Sequence, residues 1–252
     1  MAIPWYYIWS PKYEIFHQIL SKEIKKEPTK FTLCDKFYPQ EAFTTLYNPN
    51  SEHFFAGNTF KFDVIIDALE STTSPYIIAS DADLVPQYLN ELADYLEKYK
   101  EYDIVYMRDN FTNETLNIGF GLIKNTPKTL SFFKQVRDEI RATGNQDQAI
   151  VNKFLQSSDL KYTMFSVPEI IQSNMYNTIQ HFYIKQMLCS NHPTFELNYY
   201  EKLGTAAWFI DLCQYRHLIS NSVWNTLVNY FNNRQIYNPV LEIGYIYQEV
   251  IE

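Results

Sequence analysis

Between Pro4 and Met107, short apolar runs alternate with segments of helical period, and this alternation constrains the fold more than any other feature. Pro4-Trp5-Tyr6-Tyr7-Ile8-Trp9 has the length and aromatic content of a buried strand. Ser10-Pro11 breaks it, and Tyr13 to Ile24 then places Ile15, Phe16, Ile19, Leu20 and Ile24 on one helical face. Lys30 to Cys34 predicts a second strand ending at Asp35, and Asn48 to Gly57 a loop. Phe60 to Leu69 is again helical, Pro75 to Ala79 a third strand, Pro86 to Tyr99 a helix and Asp103 to Met107 a fourth strand. Strands alternating with helices predict an α/β domain: a Rossmann-like, mostly parallel sheet flanked by helices. Right-handed crossovers would gather the C-terminal strand ends on one edge, where open sheets bind ligands.

After Asn117 the pattern changes. Asn117 to Ile123 reads as extended, Lys128 to Ile140 as a helix, and Asn145-Gln146-Asp147-Gln148 leads into another. Tyr162 to Val167 reads as a late strand. Thr205 to Leu218 and Val223 to Phe231 form a C-terminal helical region, and Val240 to Ile251 reads as a closing strand. No repeat or linker divides the 252 residues, so one domain is expected, with a first part about 1–110 and a second about 111–252 where the pattern changes.

Composition narrows the function. A net charge of −8 disfavours non-specific nucleic-acid binding, so no nucleic-acid partner is expected. The chain holds 6 Gly and no Gly-rich phosphate loop, which weakens kinase, P-loop and nicotinamide-enzyme readings. No run is long enough for a membrane span and no basic head precedes the first apolar stretch, so a cytoplasmic location without signal peptide is expected. Cys34, Cys189 and Cys213 are too widely spaced for a zinc site or a disulfide framework.

The chemistry concentrates at Asp81 and Asp83, two apart at the end of the third strand. In extended backbone such positions share a side, and two converging carboxylates repel unless a cation or a proton lies between them. A hard divalent cation such as Mg2+ or Mn2+ is the natural filler. The plainer alternative is that both cap the following helix.

The order of elements around this motif resembles the nucleotide-diphospho-sugar transferases, glycosyltransferases of GT-A fold. The resemblance rests on Phe60-Lys61-Phe62-Asp63 to Leu69, then Tyr76 to Val85 with its Asp-x-Asp, then Asn117-Ile118-Gly119-Phe120, then Asn145 to Ile150. It spans about residues 4 to 155. It implies a GT-A-like fold and a metal-dependent hexosyl- or pentosyltransferase. The donor would be a nucleotide sugar, a uridine diphosphate (UDP) sugar first among them, and the acceptor a glycan, lipid or protein hydroxyl. It also implies roles. Asp81 would contact the ribose or the metal, Asp83 would ligate the metal, and Lys61 would reach the ribose or phosphates. Tyr13 would lie against the base, with backbone groups of Trp9 and Ser10 at its edge. Asn117, Gly119 and Phe120 would line the sugar and acceptor cleft, and Asp147 with Gln146 would sit at the transferred sugar. His192 is the candidate for a late metal ligand, with His181 and His217 as competitors.

Each residue also has a plainer reading. Tyr13 serves equally as core, Lys61 as a solvated surface residue, Gly119 and Gly121 as sites of close backbone approach, and Asp147 as a helix N-terminal charge. Two other functions fit the Asp-x-Asp pattern: a non-catalytic nucleotide-sugar-binding module, and a phosphohydrolase of haloacid-dehalogenase type with Asp81 as nucleophile.

Overall fold

The computed structural model describes residues 2–39, 52–109, 115–167, 169–172, 182–187, 195–206, 210 and 212–233. In chain order these form β1 (Ile3–Trp9), a 3-10 turn (Pro11–Tyr13), α1 (Glu14–Ile24), β2 (Phe31–Phe37), α2 (Glu52–Ser71), β3 (Tyr76–Ser80) and β4 (Leu84–Pro86). Next come α3 (Leu89–Leu96), a 3-10 turn (Glu97–Tyr99), β5 (Ile104–Arg108), β6 (Leu116–Lys124), α4 (Pro127–Thr143), α5 (Asp147–Ser157) and β7 (Tyr162–Met164). The last are β8 (Ile170–Gln172), β9 (Ile184–Gln186), α6 (Phe195–Ala206), a 3-10 helix (Leu212–Leu218) and α7 (Asn221–Asn233).

A six-stranded sheet in the order β2-β1-β3-β6-β5-β7 forms the centre. All its strands run parallel except β6, which is antiparallel to both neighbours. The sheet is therefore mostly parallel, as the alternating pattern predicts, and its strand C-terminal ends share one edge. β3 is buried at every position, as a strand covered on both faces must be. Its alternation divides the core: Ile78 packs with Trp5, Tyr7, Leu92, Leu96 and Phe120 on one face, while Ile77 and Ala79 join Phe62, Ile65, Phe133, Val136 and Val151 on the other. The first face takes side chains from α1 and α3, and the second from α2, α4 and α5.

The helix ends have local causes. Thr126 and Thr129 close a reciprocal capping box at the start of α4, Pro127 occupies its first turn, and Gly144 ends it at φ 64°. Ser10 precedes Pro11 with an extended backbone, but its side chain makes no capping bond.

Several boundaries differ from expectation. The predicted loop at Asn48–Gly57 gives way to helix from Glu52 onward; Gly57 and Asn58 are buried, so packing overrides their poor helix propensity. The predicted helix at Pro86 begins only at Leu89, because Leu84–Pro86 pairs with β9 in a three-stranded sheet of order β4-β9-β8. Thr205 lies in the last turn of α6, which ends at Ala206, and Leu212–Leu218 is a separate 3-10 helix rather than part of one long helix. A third apolar cluster joins Ile15, Phe16 and Ile19 of α1 to Val85, Leu203, Leu212, Tyr215 and Leu227, seating the C-terminal helices on the N-terminal half. The expected strand at Val240–Ile251 lies outside the described residues. Among those described, no helix is long and apolar enough to cross a membrane.

Candidate active site

The site forms where β3 ends beside the first half of β6. The backbone N–H of Asp81 donates to the Gly119 carbonyl at 2.8 Å, which continues the β3–β6 ladder by one bond and fixes where the aspartate leaves the sheet. Beyond it, Met187 N–H donates to the Asp83 carbonyl at 2.8 Å, and Leu84 pairs with Gln186. The tripeptide is thus held between the large sheet and the small one.

Lys61, on α2, is not a solvated residue. It is 9% exposed, and its ammonium donates to Asp81 Oδ1 at 2.6 Å and to the Ile118 carbonyl at 3.2 Å. Burial works against its charge, but Asp81, Asp147 and Asp83 outweigh that and hold its pKa above the ordinary lysine value. The second oxygen of Asp81 accepts from Gln186 Nε2 at 2.8 Å. Asp83 is more deeply placed, its side chain 6% exposed. Its Oδ2 accepts from Lys202 on α6, while its Oδ1 is buried without a hydrogen-bond partner among the described residues. Burial pushes the Asp83 carboxyl up; Lys202 opposes this and Asp81 adds to it. Lys202 also reaches the Tyr13 hydroxyl at 3.4 Å and lies 5.4 Å from the Tyr13 ring centroid, so Tyr13 adjoins the acidic pair.

Asp147 opens α5, and its Oδ1 accepts from Gln148 N–H at 2.8 Å. Burial pushes its carboxyl up, with Lys61 pulling the other way and Asp81 adding to the rise. Gln146 stands just before it as the N-cap residue, its carbonyl accepting from Ile150 N–H. Three carboxyl groups therefore act on the Lys61 ammonium, and Lys202 brings a second ammonium to Asp83. The Asn117 side chain accepts from Gly119 N–H at 2.7 Å and so shapes the bend that carries Gly119.

The first-strand residues lie at the next strand end. The Trp9 indole stacks on His17 at 4.1 Å and donates to Asp35 at 2.9 Å. Its carbonyl accepts from Tyr38 N–H, and the Ser10 carbonyl accepts from Tyr13 N–H. Ser10 Oγ is buried without a partner among the described residues.

Lys61, Asp81, Asp83, Asp147, Tyr13, Asn117 and Gly119 are thus brought together from five elements. His192 and its competitor His181 lie outside the described residues, and His217 is exposed on the 3-10 helix. Two contributors escaped sequence reasoning, Gln186 and Lys202. A charged or amide residue with no neighbouring motif carries no local signal; only a strand partner for Leu84 would have pointed to Gln186.

The family model of nucleotide-diphospho-sugar transferases matches residues 48–196, more than half of the chain. The chain belongs to the nucleotide-diphospho-sugar transferase family. No curated protein matches it in sequence. Among solved structures, it is similar to a glycosyltransferase involved in the glycosylation of the major capsid of PBCV-1, with a TM-score of 0.56 and 12% identity over 76% of this chain and 96% of that one. It also matches mouse xyloside xylosyltransferase 1 (TM-score 0.45, 12% identity, 76% and 99% covered) and the glycosyltransferase GlyE of Streptococcus pneumoniae TIGR4 (0.46, 13%, 66% and 45%). The fold is of GT-A type, and the class is a glycosyltransferase that uses a nucleotide-sugar donor.

Proposed function

We propose that this chain moves a hexosyl or pentosyl group from a UDP-sugar to a hydroxyl of a glycan, lipid or protein acceptor, and that it does so with Mn2+ or Mg2+. The observation that carries the reading is the Asp81–Asp83 pair at the strand edge: Lys61 sits on the half-exposed first carboxylate, and one oxygen of the buried second has no partner among the described residues. The donor set suits such a cation. Asp81 and Asp83 offer it carboxylate oxygens, and an unsatisfied Asp83 Oδ1 is a costly group to bury unless something binds it. Among the described residues no three His, Cys, Asp or Glu side chains are placed to hold one ion together. Magnesium-like ions are commonly held by one or two carboxylates together with substrate phosphates, and Asp83, Asp81 and His192 are the proposed ligands here. Bound there, the cation would supply charge stabilisation to the departing diphosphate.

The other roles follow from position. Lys61 holds Asp81 for the ribose and adds positive charge on the phosphate side. Tyr13 offers its ring, and Trp9 and Ser10 their edge, to the base. Asn117 and Gly119 line the sugar. Asp147, its carboxyl raised by burial and flanked by Gln146, is the group placed to accept a proton from the acceptor or to stabilise charge at the transferred carbon.

A thermal-shift series of nucleoside diphosphates and nucleotide sugars, each with manganese and with EDTA, tests this without an acceptor. A rise in melting temperature for uridine compounds that EDTA abolishes supports the proposal. No rise for any nucleotide refutes it. A metal-dependent rise without transfer to any hydroxyl acceptor would favour a binding module.

A further inference from the structure

Gln186 is 4% exposed, sits on β9 of the small sheet, and lies 105 residues from the aspartate it touches. Its Nε2 donates to Asp81 Oδ2, while its own Oε1 is buried without a hydrogen-bond partner among the described residues. A buried amide with an unmet acceptor is a poor core residue, and an apolar side chain of the same length would pack there at less cost. Something other than packing retains it. Gly119 supplies the second observation. A Cβ built there would fall 2.3 Å from Gln186 Nε2 and 2.5 Å from its Cδ and Oε1, so any side chain at this position would drive the amide off Asp81. Those nearest atoms all belong to the end of the Gln186 side chain and none to backbone, so the clearance is for that amide.

We propose that Gln186 is a positioning residue for Asp81, with Gly119 as the clearance that lets it reach. The carboxylate is then held at both oxygens, by Lys61 on one and Gln186 on the other, and its backbone N–H is tied to the Gly119 carbonyl. It cannot turn about its terminal bond, and it presents a fixed edge to a ribose hydroxyl or a cation. This role rests on the donor reading above, because it concerns what Asp81 is held for.

The test is a double-mutant cycle of Gln186→Ala and Gly119→Ala, read by calorimetric titration with UDP and a UDP-sugar in the presence of manganese. Losing one hydrogen bond to a carboxylate is expected to weaken donor binding about tenfold in either single variant. The double variant is expected to lose about tenfold as well, not a hundredfold, because the added methyl has nothing left to displace. Gln186→Met, which keeps the volume, should lose as much as Gln186→Ala. The melting temperature without ligand gives an independent readout: Gly119→Ala should lower it in the natural background and leave it unchanged in Gln186→Ala. Multiplying losses, or full donor affinity in Gln186→Met, would overturn the positioning role while the donor reading stands. A natural protein that binds no nucleotide would overturn the donor reading, and the positioning role with it.

Discussion

Replacing Lys202 by Met asks whether its ammonium stands in for a cation at Asp83. The pair is shielded, with side chains 13% and 6% exposed, so solvent does little to soften the loss. Removing one partner of a buried ion pair costs about 3–5 kcal/mol, because the remaining charge stays buried without compensation. The Asp83 carboxyl, already pushed up by burial, escapes part of that penalty by taking a proton, so the lower end, about 3 kcal/mol, is the reasonable figure. For a chain of this size about 1 kcal/mol moves the melting temperature by about 2–4 °C, so Lys202→Met should melt roughly 6–12 °C lower in EDTA. Manganese should reverse the order of response. With the ammonium gone, both oxygens of Asp83 are open to an ion, and the variant should gain more from a manganese titration than the natural protein does. Scanning fluorimetry at pH 7, with EDTA and across a manganese series, measures both effects. An EDTA melting point within about 1 °C of the natural protein, with identical manganese curves, would refute both the ion pair's weight and the competition.

Three further outcomes are expected. Asp147→Asn should lower kcat far more than it raises the donor KM; and because burial raises the Asp147 carboxyl, whose basic form is lost as pH falls through that raised value, the natural acid limb should lie above the ordinary carboxylate range and vanish in the variant, as a pH series of kcat/KM will show. Lys185, wholly buried on β9, is pushed down by burial to about 8 from 10.5, so charging it costs about 3 kcal/mol in the fold; that cost is full below pH 8 and is relieved as pH rises toward 10.5. Urea titrations should therefore show the natural protein gaining stability relative to Lys185→Met as pH rises from 8 to 10; a difference that does not change with pH would count against it. Phe120→Ala removes a ring packed at 5.4 Å from Trp5 and 5.6 Å from Phe165, and should cost about 3–5 kcal/mol by denaturant unfolding.

How far the residues themselves disclosed this arrangement varies with the range of the interaction. β3 was legible because a run bounded by Pro75 and Ser80 has the length of a covered strand, and all its positions are indeed buried. The core stripe of α1 was legible because helical period is written in neighbours three and four apart. The joint placement of Lys61, Asp81, Asn117 and Asp147 was legible only as an ordered set, through its family likeness. Taken singly, Lys61 has the look of a surface lysine, and only the fold reveals that it is buried against Asp81. The 3-10 helix at Leu212–Leu218 and the early start of α2 at Glu52 were misread because packing, not propensity, decides them.

The sequence by itself determined the alternation of strands and helices, and hence a mostly parallel sheet with an acidic tripeptide at a strand end. Those features follow from backbone periods of two and 3.6, which act over a few residues. Only the tertiary structure decided what the acidic tripeptide meets. Gln186 and Lys202 come from 105 and 119 residues farther along the chain, and β4 exists because β9 returns to pair with it. Such partners are chosen by the closing of long loops around a shared core. Hydrogen-bond donors brought together that way leave no period or spacing in the chain to mark them.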